Sequence, residues 1–202
     1  LDYVTYAMAL EEIAAGDGAI AIVMSGHNSV GCMPILEYGS QAQKERYLRP
    51  LAQGEMLCAF ALTEAKGGSD AGALTTRAVR DDDGYVINGT KQFITTGKNA
   101  ELTLVFAVTD PDQGKRGISA FIVPTNTPGY EVVRVEEKMG LNASDTAQLA
   151  FTDMRVSHDA LLGAEGQGYR IALGNLEGGR IGIAAQALGM ARAAFEVALE
   201  YA

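Results

Sequence analysis

Phe60-Ala61-Leu62-Thr63-Glu64-Ala65-Lys66-Gly67-Gly68-Ser69-Asp70 runs from apolar residues straight into a turn with two glycines and small polar side chains. A strand ending in such a turn gathers several backbone N–H groups at one place. Glycine lets the backbone come close to a ligand. Successive N–H groups in a turn form a concave anion site, and the hydroxyls of Thr63 and Ser69 add donors of adjustable direction. The stretch therefore suits a phosphate or the polar edge of a heterocycle. The competing reading is a plain surface turn, because Gly, Ser and Asp mark turns of every kind.

A second stretch bears on the choice: Asn88-Gly89-Thr90-Lys91-Gln92-Phe93-Ile94-Thr95-Thr96-Gly97. Asn-Gly is the strongest short-range hairpin signal. With Tyr85-Val86-Ile87 before it and Phe93-Ile94 after it, the spacing predicts a hairpin turning at Asn88-Gly89. Phe93, Thr95 and Thr96 then lie near its far end. An aromatic face beside two hydroxyls can stack on a flat ring and bond to its rim.

Outward from these stretches, short strands follow one another at 56–62, 75–80, 102–108, 118–123, 130–135 and 148–156. That spacing predicts a barrel or sandwich. Asp81-Asp82-Asp83-Gly84 reads as a solvated hairpin end rather than a metal site, and Pro124 closes its strand. Upstream, Tyr3, Tyr6, Ala7, Leu10, Ile13 and Ala14 follow the helical period over 3–15. Gly16-Asp17-Gly18 ends that helix, and a second apolar segment covers 19–24. His27 reads as a helix-end or packing residue. Pro34 suits the first turn of a new helix. Ser40 with Gln43 forms a capping box, and Pro50 bends or ends the helix that follows. Downstream, 168–201 is helical, with Gly178, Gly182 and Ala185 small enough for close packing. Arg180 among them reads as a surface or inter-helix salt bridge.

The expected class is α+β: an antiparallel β-barrel or sandwich flanked by helical segments. Boundaries near Glu55 and Asp159 divide the chain into 1–55, 56–159 and 160–202. The chain has 202 residues, 48% of them hydrophobic, and a formal net charge of −9. That balance argues against a nucleic-acid footprint, which needs a basic face. Cys32 and Cys58 have neither disulfide nor zinc spacing, which points to a reducing compartment. No uninterrupted apolar run reaches the length of a membrane span, and the start of the sequence shows no targeting segment.

Taken together, the two stretches, in this order and at this spacing, resemble the acyl-CoA dehydrogenase family of flavoproteins. Further stretches are similar. They are Ile35-Leu36-Glu37-Tyr38-Gly39-Ser40 with Gln43-Lys44 and Tyr47-Leu48, Lys138-Met139-Gly140 before Ser144-Asp145-Thr146, and Leu162-Gly163 with Gly166-Gln167-Gly168. The resemblance spans nearly the whole chain. It implies the end of an N-terminal helical domain, a middle β domain and the start of a C-terminal helical domain.

The resemblance also implies FAD-dependent α,β-dehydrogenation of an acyl-CoA thioester, in which a base removes the α proton and the β hydrogen leaves as hydride to flavin N5. Phe60, Leu62 and Thr63 are then expected against the isoalloxazine, and Gly68 and Ser69 near the pyrophosphate or the coenzyme A portion. Phe93, Ile94 and Thr95 form a second wall. Phe93 stands where the family often has tryptophan, which keeps stacking but loses an indole donor. Ser69, Ser144, Glu177 and Arg180 are the expected acyl-CoA contacts. Lys115 and Arg116 read as solvated loop charges, with CoA phosphates as the alternative.

Two departures stand out. Ala65 replaces the family's usual Pro after Thr-Glu. Gly179, just before Arg180, occupies the place where a minority of members carry the catalytic glutamate. No catalytic base is assigned within these residues, and the segment alone is expected not to turn over. The implied partners are an electron-transfer flavoprotein and, at full length, further copies of the chain in a dimer or tetramer. The implied location is the cytoplasm, or the mitochondrial matrix for a eukaryotic source. An acyl-CoA oxidase, a flavin monooxygenase or nitroalkane oxidase on the same scaffold, and a cofactor-free β-domain interaction module remain as alternatives. Acyl chain length is not legible.

Overall fold

The computed structural model describes residues 2–202. Helix α1 (Tyr3–Gly16) is capped by Asp2, whose carboxylate accepts from Thr5 N at 2.8 Å. Asp17 ends it and caps the next helix, accepting from Ala19 N and Ile20 N. Helix α2 runs without a break over Gly18–Tyr38. Its centre is a π-helical segment, His27–Cys32. Pro34 therefore lies inside a continuous helix and does not start one. Proline clashes with the carbonyl four residues back, and the wider π turn just upstream accommodates the ring. Helix α3 (41–52) repeats the device, with a π segment at Lys44–Leu48 two residues before Pro50.

The Ser40–Gln43 capping box is present with both bonds. Pro50 does not end α3, which continues to Ala52. A Schellman motif ends it: Gly54 N bonds to Leu51 O and Glu55 N to Pro50 O, with Gly54 at φ +73°. That left-handed geometry is the one glycine supplies at helix C-termini.

The middle of the chain forms one eight-stranded sheet. Its strands are β1 (Cys58–Ala61), β2 (Arg77–Arg80), β3 (Gly84–Thr95), β4 (Leu102–Val108), β5 (Ile118–Pro124), β6 (Tyr130–Val135), β7 (Thr146–Ser157) and β8 (Leu161–Leu162). The order is β6-β7-β3-β2-β4-β5-β8, with β1 beside β4. Most pairs are antiparallel, but β1, and β2 through Arg77, run parallel to β4. Strand β4 is buried on both faces. Leu102, Leu104 and Phe106 join Ile35, Leu51 and Ile171 under the helices, whereas Val105 and Ala107 join Ile87, Leu149 and Phe151 inside the folded-over sheet.

The predicted hairpin at Asn88-Gly89 does not form. Strand β3 passes straight through it and pairs with β7 on both sides, with a register shift between Ile87 and Gly89. Asn88 reaches across to Asp153, donating from Nδ2 (3.2 Å) and accepting from Asp153 N (2.8 Å). Gly89 is required by a close approach: a Cβ there would lie 2.4 Å from Thr76 Oγ1 and 2.7 Å from Thr76 Cα. The extra residue lies on β7, where Thr152 and Asp153 together oppose Asn88 and Asp153 takes φ +46°, so the dipeptide stays in the strand opposite a bulge. The turn that joins β2 to β3 is the acidic run, where Asp81 N bonds to Gly84 O.

Helix α4 (Gly168–Tyr201) lies across α1 and α2, and its glycines let the backbones meet. A Cβ on Gly189 would sit 2.1 Å from Glu11 O, and one on Gly182 would sit 2.6 Å from Ser25 Oγ. Helices α2 and α4 are both long and apolar enough, by length and composition, to cross a membrane. Neither is an uninterrupted apolar run, since Ser25-Gly26-His27-Asn28-Ser29 breaks α2 and charged residues recur along α4. Here Ile35 of α2 and Ile171 and Ala172 of α4 pack into the core beneath the sheet.

Candidate functional site

Two segments about thirty residues apart in sequence meet at one cleft. Its volume is about 140 Å³, and its walls are Cys58, Phe60 and Thr63 on one side and Phe93, Ile94, Thr95 and Thr96 on the other. Helix α2 closes one end with Ile22, Gly26 and Val30. These three recur every four residues, the spacing of one helix face. The two walls are joined directly, because Gln92 N donates to Thr63 O at 2.9 Å.

The second wall is built on another bulge. Lys91 pairs with Leu149 and Ile94 with Ala147, which leaves Gln92 and Phe93 between two steps of the ladder. Phe93 has φ +58° and Thr96 φ +61°, a left-handed backbone that side-chain-bearing residues rarely adopt. The bulge turns Phe93 outward, and 62% of it is exposed, whereas Ile94 is buried in the core of the sheet. A strained backbone that holds an aromatic ring in solvent marks a candidate functional site. Among the described residues the Thr63 and Thr95 hydroxyls make no side-chain hydrogen bond, so both remain available. The unengaged donors and the exposed ring fit the rim and face of a planar heterocycle.

The first wall is held by a buried ion pair that the sequence reading did not contain. Lys91 Nζ donates to Glu64 Oε1 at 2.8 Å and to Leu62 O at 3.1 Å. The two side chains are 0% and 3% exposed. Glu64 also accepts from Thr75 N (2.6 Å), Thr75 Oγ1 (2.5 Å) and Thr76 N (3.0 Å). It thus closes the mouth of the glycine-rich loop, 64–76. Burial works to raise the Glu64 carboxyl, but the Lys91 charge and these hydrogen bonds outweigh it and hold the group at about 2. Burial draws the Lys91 ammonium down to about 8 against the pull of Glu64. A carboxylate so committed cannot also collect a substrate proton. A clue was present in the sequence. The alternation Tyr85, Ile87, Gly89 along β3 puts Lys91 on the inward face, and a buried lysine needs a carboxylate.

The other expected site residues are placed as follows. Phe60 lines the cleft and leans on Phe106, ring centres 4.7 Å apart. Leu62 sends its side chain into the core between sheet and helices. Gly68 and Ser69 are exposed on the glycine-rich loop, outside the cleft wall. The neighbouring Gly72 lies against Lys115, whose ammonium sits 5.0 Å over the Tyr169 ring. Ser144 is buried and lines a separate groove with Lys98, Asn99 and Asp145. Its loop is organised by Lys138 Nζ, which donates to Leu141 O, Ser144 O and Thr146 Oγ1.

Glu177 and Arg180 are exposed on α4. Gly179 beside Arg180 faces α2, where a Cβ would lie 3.9 Å from Val30 Cγ1, and Val30 belongs to the cleft. His27 bonds to Leu51 O (3.0 Å) through Nε2 and accepts from Cys58 N (3.3 Å) at Nδ1. It ties α2, α3 and β1 together, which is the packing role expected of it. Among the described residues no group of three or more His, Cys, Asp or Glu side chains could hold a metal ion.

Three family models match the chain. They are "Acyl-CoA dehydrogenase, N-terminal domain" over residues 1–55, "Acyl-CoA dehydrogenase, middle domain" over 59–154 and "Acyl-CoA dehydrogenase, C-terminal domain" over 166–202. The chain is 51% identical over 201 residues to an acyl-CoA dehydrogenase of Bacillus subtilis, covering 100% of itself and 53% of that protein. Among solved structures, butyryl-CoA dehydrogenase from Megasphaera elsdenii superposes with a TM-score of 0.96 at 47% identity, over 99% of this chain and 52% of that one. A chain in a structure described as the electron transferring flavoprotein of Acidaminococcus fermentans superposes with a TM-score of 0.97 at 46% identity, over 100% of this chain and 53% of that one. The chain thus spans about half the length of the relatives it matches.

Proposed function

The chain belongs to the acyl-CoA dehydrogenase family, and from that premise we propose that it is the flavin-holding part of an FAD-dependent acyl-CoA dehydrogenase. The observation that carries the reading is the cleft. It joins Thr63 to Thr95 and exposes Phe93 between them. When bound, FAD supplies the hydride acceptor at N5. The chain's own residues do the rest: Phe60 and Phe93 offer aromatic surface, Thr63 and Thr95 offer donors to the ring edge, and the backbone around Leu62 and Ile94 carries the walls. Donors aimed where negative charge gathers favour the reduced ring.

The exposed loop with Gly68 and Ser69 takes the diphosphate or the coenzyme A end. Arg180 and Glu177, exposed on α4 on either side of Gly179, which packs near Val30, are assigned to the acyl thioester, with Ser144 contributing from its own loop. Ile22, Gly26 and Val30 complete the wall on the α2 side. No residue here serves as the α-proton base, since Glu64 is bound to Lys91 and Gly179 has no side chain. The domain division is 1–55, 56–159 and 160–202.

The substrate is an acyl-CoA of short chain, which agrees with the butyryl-CoA enzyme it resembles. The electron acceptor is an electron-transfer flavoprotein. The whole protein is a dimer or tetramer of the cytoplasm or, in a eukaryotic source, of the mitochondrial matrix. Full-length protein purified yellow, bleached anaerobically by butyryl-CoA and slow to reoxidise in air is the expected result. Colourless protein that takes up no FAD overturns the reading, and fast reoxidation in air moves it to an oxidase.

A further inference from the structure

We propose that Lys91 is a positioning residue for the flavin: by holding the Leu62 carbonyl from inside the protein, it aims the Thr63 N–H into the cleft and strengthens it as a donor. This rests on the reading of the cleft as a flavin site and assigns the Lys91–Glu64 pair a part in it.

The geometry begins with one peptide unit. Described residues contain no cis peptide bond, and in a trans unit the carbonyl oxygen and the following N–H point in opposite directions. Lys91 Nζ holds Leu62 O at 3.1 Å from the buried side. The Thr63 N–H of the same unit therefore points away from Lys91. Thr63 lines the cleft and Lys91 does not. Among the described residues the Thr63 N–H has no protein acceptor, whereas Thr63 O is taken by Gln92 N at 2.9 Å. Nearly all buried backbone donors find a partner, and this N–H, on a half-buried wall residue, is open to one from outside the chain. An ammonium on the carbonyl side polarises the amide and strengthens its N–H, as linked hydrogen bonds do in a low-dielectric interior.

Glu64 holds Lys91 in place at 2.8 Å. Its bonds to Thr75 and Thr76 keep the loop mouth closed behind the peptide. The ligand feature that matches is a carbonyl or ring nitrogen on a heterocycle that becomes electron-rich on reduction.

The test uses full-length protein, flavin-loaded and stripped. Lys91→Met combined with Glu64→Gln removes both charges, while the amide oxygen still accepts from Thr75 and Thr76, a neutral replacement that buried pairs tolerate. The thermal midpoint of the apoprotein is expected to stay near wild type, while FAD affinity by fluorescence titration falls about tenfold, the scale of one hydrogen bond. At saturating FAD the midpoint potential of the bound flavin shifts negative, because the donor that faces the reduced ring is weakened. A double variant with wild-type affinity and wild-type potential overturns the proposal.

Amide exchange in the wild-type protein tests it without relying on any variant to fold. The Thr63 N–H is expected to exchange freely in the apoprotein and to be protected once FAD binds. Protection already present in the apoprotein, or none in the holoprotein, overturns the assignment. Wild-type protein that takes up no FAD at all overturns the functional reading itself, a result distinct from the loss of any one donor.

Discussion

The two walls of the cleft are made by opposite means. The wall at Phe60–Thr63 is locked: Glu64 receives four donors, Lys91 is fully buried, and the neighbouring loop is closed behind them. The wall at Phe93–Thr96 is strained: two non-glycine residues within four positions take left-handed backbone, and an aromatic ring stands mostly in solvent. Polar groups in the first wall are satisfied by the protein, and what remains free there is a single N–H and a hydroxyl. In the second wall the protein accepts strain to present a surface. Stability and binding should therefore separate between them. Changes that leave one first-wall charge unpaired destabilise the chain, and changes in the second wall empty the site.

The largest effect expected from this contrast is on the first wall. Lys91→Met alone leaves Glu64 buried without its counter-charge, which destabilises by about 3–5 kcal/mol. Chemical denaturation of the full-length protein measures it, and a loss near zero would place the pair in solvent. Acid tests the same wall without mutation. The Glu64 carboxyl lies at about 2 in the fold against an ordinary 4.5. The folded chain then binds fewer protons than the unfolded chain between those values. This contribution is complete above the upper value and is lost as pH falls towards the lower one. At 1.36 kcal/mol per unit the difference is roughly 3 kcal/mol. In Glu64→Gln the acid limb of a stability–pH curve should flatten over that window.

Next in size is Gly89→Ala. The added methyl meets the Thr76 backbone at 2.7 Å, where β3 presses on the residue before β2, and the expected loss is about 1–3 kcal/mol. It should appear in the thermal midpoint of the apoprotein. Smallest, and of opposite sign, is Phe93→Gly in the second wall. Releasing a left-handed residue recovers about 1–3 kcal/mol, offset by the roughly 0.5–1 kcal/mol entropy cost of glycine. The apoprotein should be as stable as wild type or slightly more so, yet hold FAD less tightly. A Phe93→Gly protein that is both destabilised and unchanged in flavin affinity would reverse the contrast between the walls.

The difference between the walls also explains what could be read in advance. The residues of both walls stand out in the sequence because each is a short run of unusual composition. How each wall is built does not. Lys91 appears as one more charged residue in a strand, and only its inward place in the alternation from Tyr85 and Ile87 hints at burial. Its partner lies twenty-seven positions away, across a glycine-rich loop of undetermined path. Asn88-Gly89 carries a strong local preference for a tight turn, and the long pairing of β3 with β7 overrides it.

What the sequence by itself determined is whatever short-range chemistry decides. Examples are the capping box at Ser40 and Gln43, the helix break at Asp17, the acidic turn before Gly84, the apolar runs that become strands, and the family likeness carried by the two stretches. Each depends on residues within a few positions of one another, so the preference is complete before the chain folds. Only the tertiary structure decided that Pro34 and Pro50 sit within helices behind π turns, that Asn88-Gly89 runs through a strand opposite a bulge in β7, and that Lys91 lies under the Leu62 carbonyl. Those outcomes are set by partners distant in sequence, and the free energy of burying and pairing such groups exceeds the local preference it displaces.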